Sequence, residues 1–265
     1  MTRRQLIALS TATAAMPAWS QQSTTDKTHD FYGLKHTAPD RPEEIAMLIY
    51  PGMTALDLVG PQQVFGYVMG TRVRLVSKTK VAVVTDTGLK IVPDLTFDEC
   101  PDPVDILFVP GGGAATVKLM EDSVTTSFLA ARGKTARLVT SVCSGSLVLG
   151  AAGLLRGYKA TSHWAVRDVL ALLGATPTRA RVVEDRNRIT AGGITSGIDF
   201  GLRIAARLRG DDYGRALELN LEYDPQPPFG SGTPEKADER VTKAMRSMYQ
   251  PLTDAAAAAA KRLKA

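Results

Sequence analysis

The chain has 265 residues, 44% of them hydrophobic and 22% charged, a composition ordinary for a soluble globular protein long enough to bury a large core without disulfides or metal. The formal net charge is only +5, no basic stripe is interleaved with aromatic residues, and no helix-turn-helix extension is visible, so nucleic acid is excluded as an expected partner. The two cysteines and three histidines fall in no Cys-x-x-Cys, His-Glu-x-x-His or other ligand spacing, which excludes a structural zinc site.

Residues 1–20 read as an export signal. Arg3-Arg4 opens an apolar run from Leu6 to Ala15, and the small residues Ala18 and Ser20 suit a cleavage site. The run is too short to span a bilayer. The arginine pair followed by Gln5-Leu6-Ile7 resembles a twin-arginine signal, which exports protein already folded. A periplasmic location is therefore expected, with no membrane anchoring once the signal is removed; a non-functional leader leaves the chain in the cytoplasm. Residues 21–43, polar and carrying Pro39 and Pro42, read as a flexible linker.

From residue 44 short apolar runs alternate with helical stretches. Ile45 to Tyr50 has strand length and stops at Pro51-Gly52, and Asp57 to Met69 has helical spacing. Arg72 to Lys78 alternates as a half-wet strand, and Asp86-Thr87-Gly88 predicts a hairpin within Val81 to Pro93. Asp105 to Pro110 is a buried strand, followed by Gly111-Gly112-Gly113 and one helix to about Arg132. Ala136 to Val142 is another buried strand that runs into Cys143-Ser144-Gly145-Ser146, and Leu147 to Leu155 then reads as a helix apolar nearly all round. A helix over His163 to Leu173, a strand pair over Ala180 to Ile189 and a helix over Thr195 to Arg209 follow. Such alternation predicts an α/β fold, a mostly parallel sheet covered by helices on both faces, over residues 44–224. Four prolines and two glycines break residues 224–234, so residues 225–265 read as a separate helical extension, docked on the domain or covering a dimer face.

The chemistry concentrates at Ser141-Val142-Cys143-Ser144-Gly145, which has the form of a nucleophile elbow with cysteine in the nucleophile place. A turn that tight needs small neighbours, and it pushes its side chain out at the carboxyl edge of the sheet. The helix behind it predicts a lowered thiol pKa, and the amides after the cysteine can hold a developing anion. Cys100, in a loop with no helix behind it, reads as structural, and a Cys100–Cys143 disulfide, which would remove the nucleophile, is not expected. A proton-transfer partner is required. Asp57, flanked by apolar residues and so expected to have a raised pKa, is one candidate; a helix N-cap is its ordinary alternative. His163 and Asp199 are the others, with packing at a helix start and a first-turn aspartate as the respective alternatives.

Several stretches occur together in a telling order: Leu56-Asp57-Leu58-Val59-Gly60-Pro61, Pro110-Gly111-Gly112, Ser141 to Leu155, Ala160 to Trp164, Ala191 to Phe200 and Leu221 to Phe229. By these the chain from about Ile45 onward resembles the ThiJ/PfpI superfamily, of class-I glutamine-amidotransferase-like (flavodoxin-like) fold, and within it the isocyanide hydratases. The resemblance implies Cys143 as nucleophile and Asp57 as its acid/base carboxylate. It places Ser144 where the hydratases usually have threonine, Gly192 and Ile194 on a backbone stretch lining the pocket, and Gly112 where its amide faces a developing anion. It implies a structural role for His163, a homodimer, a small-molecule substrate, and no metal or organic cofactor. The reaction implied is hydration of an isocyanide to an N-substituted formamide through a thioimidate on Cys143. Superfamily peptidases carry histidine directly after the nucleophile, and Ser144 argues against that class. Two alternatives are a non-catalytic ligand-sensing or regulatory domain and a glyoxalase- or deglycase-like stress enzyme; the latter usually pairs cysteine with glutamate, against Asp57. The leader departs from the hydratase pattern, since a cytoplasmic enzyme is expected there.

Overall fold

The structure, a computed structural model, describes residues 39–263. The predicted leader and most of the predicted linker lie outside these residues. The elements run β1 (Glu43–Leu48), α1 (Ala55–Gly66), β2 (Thr71–Ser77), a short hairpin of β3 (Val83–Val84) and β4 (Lys90–Ile91), β5 (Leu95–Thr96) and β6 (Ile106–Val109). They continue with α2 (Gly113–Met120), α3 (Ser123–Thr135), β7 (Leu138–Ser141), α4 (Gly145–Ala151), β8 (Lys159–Ala160), a 3-10 helix (Arg167–Leu173) and β9 (Thr176–Pro177). The chain closes with β10 (Val182–Asp185), β11 (Arg188–Ala191), α5 (Ser196–Arg209), α6 (Asp211–Asn220) and α7 (Glu239–Arg262).

Seven strands form the main sheet in the order β10-β11-β7-β6-β1-β2-β5. All neighbours are parallel except β10 and β11. The predicted α/β architecture is the one observed. β6 and β7, at the centre, are buried along their whole length, as a parallel strand covered on both faces must be. The order reverses between β1 and β6, which places a crevice beyond their carboxyl ends. Helices α1, α5 and α6 pack together, while α2, α3, α4, the 3-10 helix and α7 form the other group. α4 is buried from Gly145 to Gly150, in keeping with its apolar sequence.

Three local expectations change. The single helix predicted after Gly113 is two, because Asp122 takes an extended conformation (ψ 99) and its carboxylate accepts from Thr125 Oγ1 at 2.7 Å. An aspartate whose side chain can bond nearby groups favours such a boundary over a helix interior. Of the helix predicted over His163 to Leu173, only Arg167–Leu173 is helical, and in the tighter 3-10 form. His163 instead opens a turn in which its carbonyl accepts from Val166 N and its Nδ1 from Ala165 N. α6, which has no counterpart among the predicted elements, follows directly on α5 after Gly210. α7 lies against α2 and the 3-10 helix through buried Ala256, Ala259 and Ala260. Among the described residues no helix is long and apolar enough to cross a membrane.

Candidate active site

Four adjacent strands end at one place. β1 leads into α1, which carries Asp57; β6 leads into Pro110-Gly111-Gly112; β7 leads through Val142 into Cys143; β11 leads into Gly192-Gly193-Ile194. The parallel register therefore gathers residues more than eighty positions apart in the chain.

Cys143 has φ 58, a left-handed conformation that costs a non-glycine residue about 1–3 kcal/mol and is held here by its surroundings. Its amide donates to the carbonyls of Ala191 and Gly192, at 3.1 and 2.8 Å. Ser196 Oγ also donates to Gly192 O, at 2.7 Å, so Gly192 anchors the turn from behind. Gly145, two residues on, leaves no room for a side chain: a Cβ there would lie 2.3 Å from Val109 O. The helix start is thus pressed onto the end of β6, and the sulfur is only 6% exposed with its residue.

Asp57 sits in the first turn of α1, fully buried. One carboxyl oxygen, Oδ2, accepts from Gly111 N at 3.1 Å. The other, Oδ1, is buried with no aligned partner. The Cys143 thiol lies within reach of this carboxyl without the geometry of a full hydrogen bond. Gly111 is wedged between the two side chains that flank it: a Cβ there would meet Ser144 N and Oγ at 2.7 Å and Asp57 Oδ2 at 2.8 Å. Burial pushes the Asp57 carboxyl up to about 7, even though the thiol and the Gly111 amide favour its charged form.

The expected lowering of the thiol pKa is not found. Burial, and then the neighbouring Asp57 charge, push the Cys143 thiol well above its ordinary value, outweighing the Ser144 amide and hydroxyl that favour thiolate. The helix behind it is only seven residues long and cannot offset full desolvation. At rest the thiol therefore keeps its proton.

Ser144, 3% exposed, belongs to a directed relay. Gly112 N donates to Ser144 Oγ at 3.2 Å, Ser144 Oγ lies 2.8 Å from Thr116 Oγ1, Thr116 Oγ1 lies 3.2 Å from Tyr50 OH, and Tyr50 OH donates to Pro110 O at 3.0 Å. Because the last acceptor is a carbonyl, each hydroxyl must donate toward Tyr50, which fixes the direction of the whole chain. Gly112's amide, expected to face a developing anion, is thereby directed at Ser144 Oγ. Tyr50 and Thr116 were not among the predicted site residues; the relay joins a strand end to the second turn of α2, and no spacing in the sequence announces it.

A cavity of about 480 Å³ opens in front of Cys143. Its lining includes Thr54, Asp86, Gly112 to Ala115, His163, Val166, Ile194, Tyr249 and Leu252. Among the described residues no lysine or arginine lines it. His163, treated above as structural, is a wall of this cavity, packed against Trp164 and Tyr249; burial lowers its pKa to about 4, so it is neutral. Asp199 is elsewhere, bonded to Arg181 at 2.6 Å and Tyr223 at 2.8 Å in an ion-paired groove beside α5 and α6. Burial alone would raise its pKa, but Arg181 and Tyr223 hold the carboxyl below its usual range. Cys100 is a buried free thiol whose carbonyl accepts from Arg132. Among the described residues no three His, Cys, Asp or Glu side chains are grouped to hold a metal ion.

A buried thiol at a strand-to-helix turn, a buried carboxyl beside it and a parallel sheet beneath define a flavodoxin-like α/β protein with a cysteine-centred site. Residues 43–207 match the model of the DJ-1/PfpI family, and the chain belongs to that family. The isonitrile hydratase of Pseudomonas putida is 48% identical over 208 residues, 78% of this chain and 90% of that protein. The crystal structure of a ThiJ/PfpI family protein from Pseudomonas syringae superposes with a TM-score of 0.84 at 48% identity, covering 91% of this chain and 98% of that one. The HTH-type transcriptional regulator GbdR of Pseudomonas aeruginosa is 31% identical over 193 residues, 69% of this chain but 51% of the regulator.

Proposed function

We propose that this protein hydrates an isocyanide, R–N≡C, to the N-substituted formamide R–NH–CHO. The observation that carries the reading is the buried carboxyl of Asp57, pushed up to about 7 and with one oxygen unpartnered, beside a strained, buried Cys143. A carboxyl with a pKa near neutrality both accepts and returns a proton at small cost. The cavity, with no basic side chain and a neutral histidine, suits a small uncharged substrate. The relative named isonitrile hydratase supports the same chemistry.

The steps balance as follows. The Cys143 thiol proton passes to Asp57 while sulfur bonds to the terminal isocyanide carbon. Asp57 then delivers that proton to the carbon, giving the thioimidate R–N=CH–S–Cys143. Water adds its oxygen to the same carbon, with Asp57 taking one proton as the imidate nitrogen gains one. The carbon–sulfur bond breaks, the formamide leaves and the sulfur recovers its proton. The nucleophile needs no prior ionisation in the empty site, which accords with a thiol whose pKa is raised. Ser144, fixed by Thr116 and Tyr50, offers its backbone amide to the sulfur when it carries charge.

The test is loss of the isocyanide infrared band together with chromatographic appearance of the formamide from an aryl isocyanide. Wild type is expected to turn over, Cys143→Ala to lose at least about 10³-fold and Asp57→Asn about 10²–10⁴-fold. No turnover of isocyanides or of methylglyoxal by wild type points instead to a ligand-binding role. Turnover retained in Cys143→Ala rejects the mechanism.

Export of the folded chain and assembly as a homodimer belong to the same proposal. Protein recovered from the periplasm should begin at residue 21 and scatter light as twice the chain mass. An intact Met1 in the cytoplasm, or a monomer, contradicts the respective part.

A further inference from the structure

Tyr249 and Leu252 lie on α7, outside residues 43–207 that match the DJ-1/PfpI family, yet both line the cavity in front of Cys143. α7 is fixed in place by its alanine face and by Thr253 Oγ1, which donates to Ala165 O at 3.0 Å. Ala165 belongs to the same turn as His163 and Trp164, so the extension is tied to the cavity wall at the point where it contributes to it. The Tyr249 ring stands 5.0 Å from the His163 ring and 5.5 Å, edge to face, from Trp164. These contacts hold the ring in one orientation.

The position of His163 relative to the sulfur is fixed by Gly193. A Cβ added there would lie 3.3 Å from Cys143 Sγ and 2.4 Å from His163 Cδ2. Thiol and imidazole therefore converge on one point, and the Tyr249 ring packs against that imidazole. A linear isocyanide that meets the sulfur through its terminal carbon points its R group away from it, into a cavity whose larger apolar side chains are Val166, Ile194, Tyr249 and Leu252. Thr54 and Asp86 add polar side chains to the same lining.

We infer that α7 selects the substrate: Tyr249 and Leu252 form the wall on which a flat, uncharged, single-ring R group rests. The inference builds on the isocyanide reading. Shared family elements then supply the reacting groups, and the extension beyond them sets which side group is accepted. Aromatic rings prefer offset or edge contact with one another, and Leu252 and Val166 add apolar side chains to the same lining.

Two measurements test this. The first is kcat and KM for phenyl isocyanide and for methyl isocyanide, in wild type, Tyr249→Ala, Leu252→Ala and Tyr249→Phe. Tyr249→Ala and Leu252→Ala are expected to lower the phenyl-over-methyl ratio of kcat/KM by about tenfold, mostly through KM. Tyr249→Phe, which keeps the ring, is expected to keep the ratio. An unchanged ratio in both alanine variants, or an equal loss for both substrates, overturns the assignment. The second is the rate at which N-phenylmaleimide and N-methylmaleimide label Cys143, which needs no turnover. The phenyl preference is expected in wild type and lost in Tyr249→Ala; no preference in wild type overturns the wall even if hydration is observed. Absent hydration with an intact labelling preference sinks the hydratase reading and leaves the wall standing.

Discussion

Asp57 and His163 are buried at the same cavity and respond to pH in opposite senses. The Asp57 carboxyl has its pKa raised to about 7 by burial, from an ordinary value near 3.8. Between those values the unfolded chain has lost the proton that the folded chain keeps, so this residue makes stability fall as pH rises from about 4 to about 7. His163, lowered to about 4 from 6.5, is neutral when folded and charged when unfolded across that interval, so it makes stability rise with pH. Comparing Asp57→Asn with wild type isolates the first effect. The variant's stability relative to wild type, read from thermal unfolding, is expected to climb from pH 4 to pH 7 and then level, a span on the order of 4 kcal/mol. A difference that is flat with pH would mean that Asp57 is ionised at all these pH values. Catalysis by the same group has the opposite slope: kcat/KM is expected to rise through about pH 7 as the carboxylate able to accept the thiol proton forms.

At the level of elements, the site depends on how closely α4 is pressed onto the end of β6. Gly145 permits that approach, since a Cβ would lie 2.3 Å from Val109 O, 2.8 Å from Pro110 O and 2.9 Å from Pro110 C. These are backbone atoms of a central strand and cannot give way as a side chain would. Gly145→Ala is expected to cost about 2–4 kcal/mol in denaturant unfolding and to reduce alkylation of Cys143 by iodoacetamide, because the whole turn must shift. Normal stability and normal labelling would show that α4 has slack that the packing does not suggest. The left-handed turn at Cys143 follows from the same compression: only Val142, Cys143 and Ser144 separate the strand from the helix, too few to relax the backbone.

Across the whole molecule, β1 and α5 are joined far from the site by a buried ion pair. Arg209, 1% exposed, donates to Glu43 Oε2 at 2.6 Å and to Met69 O through Nε and one terminal nitrogen, at 3.0 and 2.7 Å. Arg137 holds the other oxygen of Glu43 at 2.6 Å. The start of β1, the turn before β2, the start of β7 and the end of α5 thus share one network. Arg209→Met leaves the Met69 carbonyl and half of Glu43 without a cationic partner. It is expected to lower stability by about 3 kcal/mol, read from the denaturation midpoint, with little change in KM because the network is at the opposite end of the sheet from Cys143. A large change in KM would instead mean that the network is coupled to the cavity.

Much of this was legible in the chain itself. Apolar runs such as Ile106–Val109 and Leu138–Ser141, spaced by helical stretches, determine a buried parallel sheet, because a strand covered on both faces has no polar side to show. Small residues around Cys143 mark a tight turn, because nothing larger fits there. Asp57 was one of three acid/base candidates by its residues alone, and proximity to the thiol, which no local spacing contains, is what separates it from Asp199. Tertiary structure alone decided the direction of the Tyr50–Thr116–Ser144 relay, the raised thiol pKa and the presence of Tyr249 at the cavity. Each depends on groups from distant parts of the chain, and on the loss of water around them, which a linear pattern does not record.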